Sequence, residues 1–208
     1  MKTQTQAKTQ KKSVLFSAKG IAQIGVLSAV SAVLMLIEIP LWFAPSFYKI
    51  DLSEVPILIG SFAIGPLAGA MMELIKILIN LILHGTTTGG IGEIANLIIG
   101  CAMVVPSAVI YQRHKTKKYA VIGLAVGTAA LVIAGSLLNY FVLLPVYATV
   151  FHMPMEALVQ MGTAVNPSIH GLWSFILLAV APFNLLKGIL TSAITLLLYK
   201  HVSPILHR

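Results

Sequence analysis

A few polar side chains interrupt long apolar runs in this sequence, and their spacing is the first clue to chemistry. Glu73, Lys76 and Asn80 follow at spacings of three and four, so a helix would present them on one face. Glu93 and Asn96 are three apart. Asn184 and Lys187 are three apart just after Pro182, and Asn139 stands in a long apolar stretch. A charged group at membrane depth costs about 2.5–3.5 kcal/mol on insertion scales, so each needs a partner or a ligand. Glu73 and Lys76 are spaced to pair with each other, which is a structural use. Asn139, Asn184 and Lys187 lie at similar depth in their segments and read as converging on one cavity. Asparagine offers both a donor and an acceptor, and charged lysine only donors. Together they suit a ligand edge that alternates carbonyl and N–H groups. The surrounding Leu, Ile, Val, Phe and Tyr suit a flat apolar body.

Other chemistries find no support. No GxxxxGK[ST] loop occurs, so the chain does not hydrolyse ATP by that route, and Gly89-Gly90-Ile91-Gly92 has no soluble strand before it. Asp51 is the only aspartate, and the histidines (His84, His114, His152, His170, His201, His207) fall in loops or at segment ends. Neither a metal site nor a hydrolytic triad is signalled. Cys101, the single cysteine, lies in an apolar run and reads as a small core residue. The apolar runs contain no arginine, which argues against a highly phosphorylated ligand. A flavin fits these demands. Another vitamin or a nucleobase-like compound remains an alternative ligand, and an intramembrane enzyme or structural membrane protein an alternative class.

The elements that must position these residues follow from composition. The 208 residues are 58% hydrophobic and 10% charged, against about 25% charged in soluble domains. That is too little polar surface to coat a soluble domain. The runs lack period-two alternation, so they read as membrane helices and not as barrel strands. The pattern predicts an all-α, polytopic membrane protein with six transmembrane helices: about 14–37, 54–65, 67–83, 93–111, 119–146 and 172–199. Residues 1–208 then form a single membrane domain, a basic tail over 1–13 followed by a six-helix bundle over 14–202. The run from 14 to 37 exceeds the apolar core of a signal peptide, so it is kept as a span.

The net charge of +8 is placed as in membrane proteins, and no nucleic-acid partner is expected. Lys2, Lys8, Lys11, Lys12 and Lys19 precede or open the first run, Arg113, Lys115, Lys117 and Lys118 cluster between the fourth and fifth, and Lys200 and Arg208 end the chain. Glu38, Asp51, Glu54, Glu93 and Glu156 fall near the alternate turns. The positive-inside rule therefore puts both termini and the 113–118 loop in the cytoplasm. The outer segments are 38–54, with Pro40, Trp42, Pro45 and Tyr48, then the glycine-rich 84–92, and 147–170, which is expected to be partly helical. On the first span Ala18, Ala22, Gly25, Ala29 and Ala32 recur every three or four residues. Such a stripe of small residues serves either packing within the bundle or docking of a second membrane protein.

Particular stretches carry a family resemblance: DLSEVP from Asp51 to Pro56, GPLAG from Gly65 to Gly69, LIK from Leu74 to Lys76, Ala95-Asn96, LNYFVLLPVY from Leu138 to Tyr147, and PFNLLKG from Pro182 to Gly188. The chain resembles the riboflavin-specific substrate-binding subunit (S component) of energy-coupling factor transporters over essentially its whole length. That resemblance implies no catalysis and no cofactor. It implies capture of riboflavin at the bacterial cytoplasmic membrane, with FMN as an alternative ligand. It also implies partnership with a transmembrane scaffold protein and two ATPase subunits, and a loaded subunit that topples in the lipid. Carried over by position, Asn139, Asn184 and Lys187 match ligand contacts, Lys76 and Asn96 match polar family positions, and the outer loops, with Tyr48 and Thr86, supply further contacts and the lid. The stripe from Ala18 to Ala32 matches the face that meets the coupling module. Ile77 departs from the family, where Asn often follows the lysine.

Overall fold

A computed structural model describes residues 15–207 apart from 43, 46, 47, 87 and 151, with side chains up to residue 199. The basic tail 1–13, Arg208 and the Lys200 side chain lie outside the described residues. Helix α1 covers Ala18–Met35. It starts where the Ser17 hydroxyl accepts the Gly20 N–H at 3.1 Å, an N-cap that satisfies one open donor of the first turn. Gly20, Ile24, Ser28, Ser31 and Ala32 form its buried stripe. In the segment that follows, strands β1 (Ile39–Pro40) and β2 (Lys49–Ile50) pair antiparallel with Ile39 opposite Ile50. The sequence showed this segment only as a loop; a two-residue ribbon is too short to leave a period-two signature.

Helix α2, Glu54–Ile64, is buried from Glu54 through Phe62. At 1.5 Å per residue it measures only about 16 Å, and it runs inside the bundle. The chain reverses at Gly65, whose φ of 137° favours glycine, and Pro66 opens the next helix at a position that needs no N–H. Helices α3 (Pro66–His84), α4 (Ile91–Arg113) and α5 (Lys117–Leu138) follow, the last capped by Thr116.

Two spans then widen. After α5 a π turn covers Asn139–Leu143 and leads into α6, Leu144–Val150; after α8, Leu172–Phe175, a second covers Ile176–Val180 and leads into α9, Ala181–His207. Each wide turn ends two residues before a proline, Pro145 or Pro182. A proline removes an N–H and presses its ring on the carbonyl four residues back. A turn closed by i→i+5 bonds relieves that crowding, as in the bonds from Leu144 to Asn139 and from Ala181 to Ile176. Between these spans α7, Met155–Thr163, is the helical part expected of the third outer segment.

Among the described residues five helical stretches are long and apolar enough to cross a membrane, namely Ala18–Met35, Pro66–His84, Ile91–Arg113, Lys117–Val150 and Leu172–Tyr199, and α2 is a shorter apolar helix. The main core gathers Ile57, Leu58, Phe62, Met72, Met103, Val104, Leu124 and Leu131. At the end where α2 meets its turn, Phe62 stacks on Tyr111 at 4.4 Å, Tyr199 closes edge-on against both, and the two tyrosine hydroxyls share a hydrogen bond of 2.5 Å. A smaller core of Leu144, Leu158, Ile169, Phe175, Ile176 and Val180 lies at the other end, under α7.

Candidate functional site

At that second end the helices leave a cavity of about 230 Å³. One wall comes from Leu131, Asn139 and Leu143, and the facing wall from Phe183, Asn184 and Lys187 of α9. Ala95, Asn96 and Ile99 of α4 form the third side. Met35, Glu38, Tyr48, Lys49 and Asp51 come from the end of α1 and the segment that follows it. The three residues read from sequence as convergent thus do share one cavity, and Asn96 and Tyr48 join them.

Each asparagine is held by its own helix. Asn139 donates through Nδ2 to the Gly135 carbonyl at 2.7 Å, and Asn184 donates through Nδ2 to the Val180 carbonyl at 2.9 Å. Because an amide nitrogen carries two hydrogens, the tether orients the group and leaves a second N–H for another acceptor. The Asn139 Oδ1 accepts from the Tyr48 hydroxyl at 2.6 Å. Burial, and then neighbouring Tyr147, push the Tyr48 phenol above the ordinary tyrosine range, so it remains a neutral donor. Its ring lies 5.0 Å from that of Phe183, with which it flanks the cavity, and 6.3 Å from that of Phe175 in the core behind.

Lys187 is one helical turn beyond Asn184 on the same face. Its Nζ donates to Asp51 Oδ2 at 2.9 Å and lies 4.0 Å from Glu54 Oε1. Burial on its own would raise the Asp51 carboxyl. The Lys187 ammonium, with Lys76 and a hydrogen bond from Ser53, outweighs it and brings the carboxyl down to about 2. The pocket's amine is therefore neutralised in place. A carbonyl can share its hydrogens without bringing a compensating charge.

Lys76 does not line the cavity. It is fully enclosed, 3.0 Å from Glu54 Oε1 and 2.7 Å from Glu73 Oε2. The expected pairing with Glu73 is present, and Glu54 adds a second carboxylate from α2. Thr86 is also outside the lining: its hydroxyl oxygen accepts from the Thr88 and Gly90 N–H groups and donates to Glu93, which organises the 85–90 loop. On α1, Ala18, Ala22, Gly25 and Ala29 are exposed, whereas Ala32 is 1% exposed and faces the bundle. The fifth member of the stripe thus falls on the packed side, because its step of three from Ala29 carries it round toward Ser28 and Ser31. Sequence reasoning had not joined Asp51 and Glu54 to Lys187. Among the described residues no group of histidine, cysteine and acidic side chains could hold a metal ion.

Fold and cavity define a helical membrane-type protein built around a small-molecule-sized pocket. Residues 19–199 match the family described as ECF transporter, substrate-specific component. The chain is 33% identical over 187 residues to the riboflavin transporter FmnP of Bacillus subtilis strain 168, covering 89% of this chain and 93% of that protein. It is also 33% identical over 190 residues to the riboflavin transporter RibU of Staphylococcus aureus strain TCH60, covering 91% and 93%. A solved structure described as the S component of a bacterial ECF transporter superposes with a TM-score of 0.69 at 31% identity, over 90% of this chain and 97% of that one. The protein belongs to the substrate-specific components of ECF transporters, a family of transporter subunits and not of enzymes.

Proposed function

We infer that the protein captures riboflavin from outside the cell and delivers it as the substrate-specific subunit of an ATP-driven importer. The observation that carries this is the meeting of Asn139, Asn184 and Lys187 around one apolar, aromatic-flanked cavity, in a chain whose relatives are named riboflavin transporters. The two amides and the amine face a ligand edge of alternating carbonyl and N–H groups, and Phe183 and Tyr48 flank its ring system. Counting α2, the chain passes six times between the cavity end and the opposite end. The basic 113–118 loop lies at the opposite end, so the cavity faces outward and both termini face the cytoplasm of a bacterial cell.

The exposed stripe of Ala18, Ala22, Gly25 and Ala29 supplies a smooth face on which a transmembrane scaffold protein can pack closely, with two ATPase subunits beneath it. The test is titration of purified full-length protein with riboflavin, followed by quenching of flavin fluorescence. Tight one-to-one quenching is expected, with Asn184→Ala and Lys187→Ala each weakening it strongly. A folded preparation that leaves the fluorescence unchanged overturns the assignment.

A further inference from the structure

Gly135 is buried in α5, one turn before Asn139, and does not itself line the cavity. It nevertheless touches both amides of the site. Its carbonyl accepts the Asn139 Nδ2 hydrogen bond at 2.7 Å. On its side-chain face α9 brings in Asn184: a Cβ at position 135 would lie 2.7 Å from Asn184 Nδ2, 2.9 Å from Cγ and 3.0 Å from Oδ1. All three nearest atoms belong to one carboxamide. That carboxamide is tethered to the Val180 carbonyl at 2.9 Å, so it cannot turn away without losing a buried hydrogen bond.

We propose that Gly135 is a positioning residue of the ligand site: its backbone carbonyl aims Asn139 while its missing side chain makes the space in which Asn184 is aimed. The two amides are thereby set against each other at one fixed separation, which selects a planar ligand edge able to engage both. The proposal rests on the reading that these amides hold riboflavin. The predicted clash is with the far end of a side chain and not with backbone. A methyl group at 135 therefore displaces the Asn184 carboxamide and leaves the helix packing in place, and alanine is the better helix former. A role in packing alone predicts a different pattern, in which the substitution acts whatever residue occupies 184.

The experiment is a double-mutant cycle on the full chain with riboflavin as the probe, comparing wild type, Gly135→Ala, Asn184→Ala and the double variant, each also melted thermally. Gly135→Ala is expected to melt close to wild type, because the better helix propensity of alanine offsets the lost Asn184 tether, yet bind at least about tenfold more weakly, while in the Asn184→Ala background the same change alters affinity by less than about twofold. Wild-type affinity in Gly135→Ala, or an equal loss in both backgrounds, overturns the proposal. If Gly135→Ala fails to fold, the double variant, in which the displaced carboxamide is gone, must fold; if it too fails, the glycine serves packing and the proposal falls. Undiminished binding by Asn184→Ala would instead refute the assignment of the site, a result distinct from loss in Asn184→Ala with none in Gly135→Ala.

Discussion

Replacing Lys76 by methionine keeps the volume of a buried side chain and deletes the one ammonium that sits within 3.0 Å of both Glu54 and Glu73. All three groups are at most 1% exposed, so solvent screens little of the interaction. Removing one member of a buried ion pair costs about 3–5 kcal/mol, because the remaining charge is left without compensation. Here the losses are unequal. Glu54 keeps the Lys187 ammonium at 4.0 Å, whereas Glu73 has no second cation within ion-pair distance among the described residues. At roughly 2–4 °C per kcal/mol for a chain of this size, Lys76→Met should lower the melting temperature by about 6–20 °C. Adding Glu73→Gln, which removes the more isolated carboxylate, should restore at least half of the loss. Thermal unfolding of the purified protein in detergent, read by intrinsic fluorescence, decides it. A Lys76→Met protein that melts with wild type, or a double variant no more stable than the single, refutes the view that Lys76 serves the bundle.

The two sides of α1 should separate cleanly. Ala32→Leu, at a buried position, should destabilise by about 1–3 kcal/mol through overpacking, whereas Ala22→Leu should leave both melting and riboflavin binding unchanged and impair vitamin uptake by cells; normal uptake with Ala22→Leu sinks the docking role. Because the Tyr48 hydroxyl already occupies the Asn139 acceptor, Tyr48→Phe should tighten riboflavin binding by up to about fivefold, the worth of one net hydrogen bond; weakening beyond tenfold would make the hydroxyl a ligand contact. The Asp51 carboxyl titrates at about 2 in the folded protein against an ordinary 3.8, so its contribution to stability is fully present above about pH 4 and disappears as the pH falls toward 2. The stability gap between wild type and Asp51→Asn should accordingly be flat from pH 5 to 8 and close below 4; a gap that changes between pH 5 and 8 would contradict the Asp51–Lys187 pairing.

The long helices could be read from sequence because each is an uninterrupted apolar run with polar punctuation at Gly65-Pro66, the 85–90 loop and the basic 113–118 cluster. Asn139, Asn184 and Lys187 could be read because an amide or amine amid Leu and Val needs a purpose. What could not be read was who meets whom. Asp51 and Lys187 are 136 positions apart, and Tyr48 and Asn139 are 91 apart, so only the packed bundle reveals these pairs. Lys76 joined the site only through its family position, whereas its spacing from Glu73 already pointed to the pairing; the second carboxylate, Glu54 of α2, is 22 positions away and shows only in the packed bundle. Pro145 and Pro182 were visible, but the wide turns before them add residues without changing composition, so they left no trace in the periodicity. Ala32 looked equivalent to Ala29 because a small-residue repeat does not tell the lipid-facing side of a helix from the bundle side.

The Phe62–Tyr111 stack, with Tyr199 edge-on against it, bears on how a vitamin could leave. Ile57, Leu58, Met72, Met103 and Leu131 join Phe62 and Tyr111 in one buried core, and Leu131 also lines the cavity. Opening a passage from the cavity to the end where the rings lie would mean parting this core and the Phe62–Tyr111 stack. A release that spares this packing would have to use the side of the cavity on which Tyr48 lies.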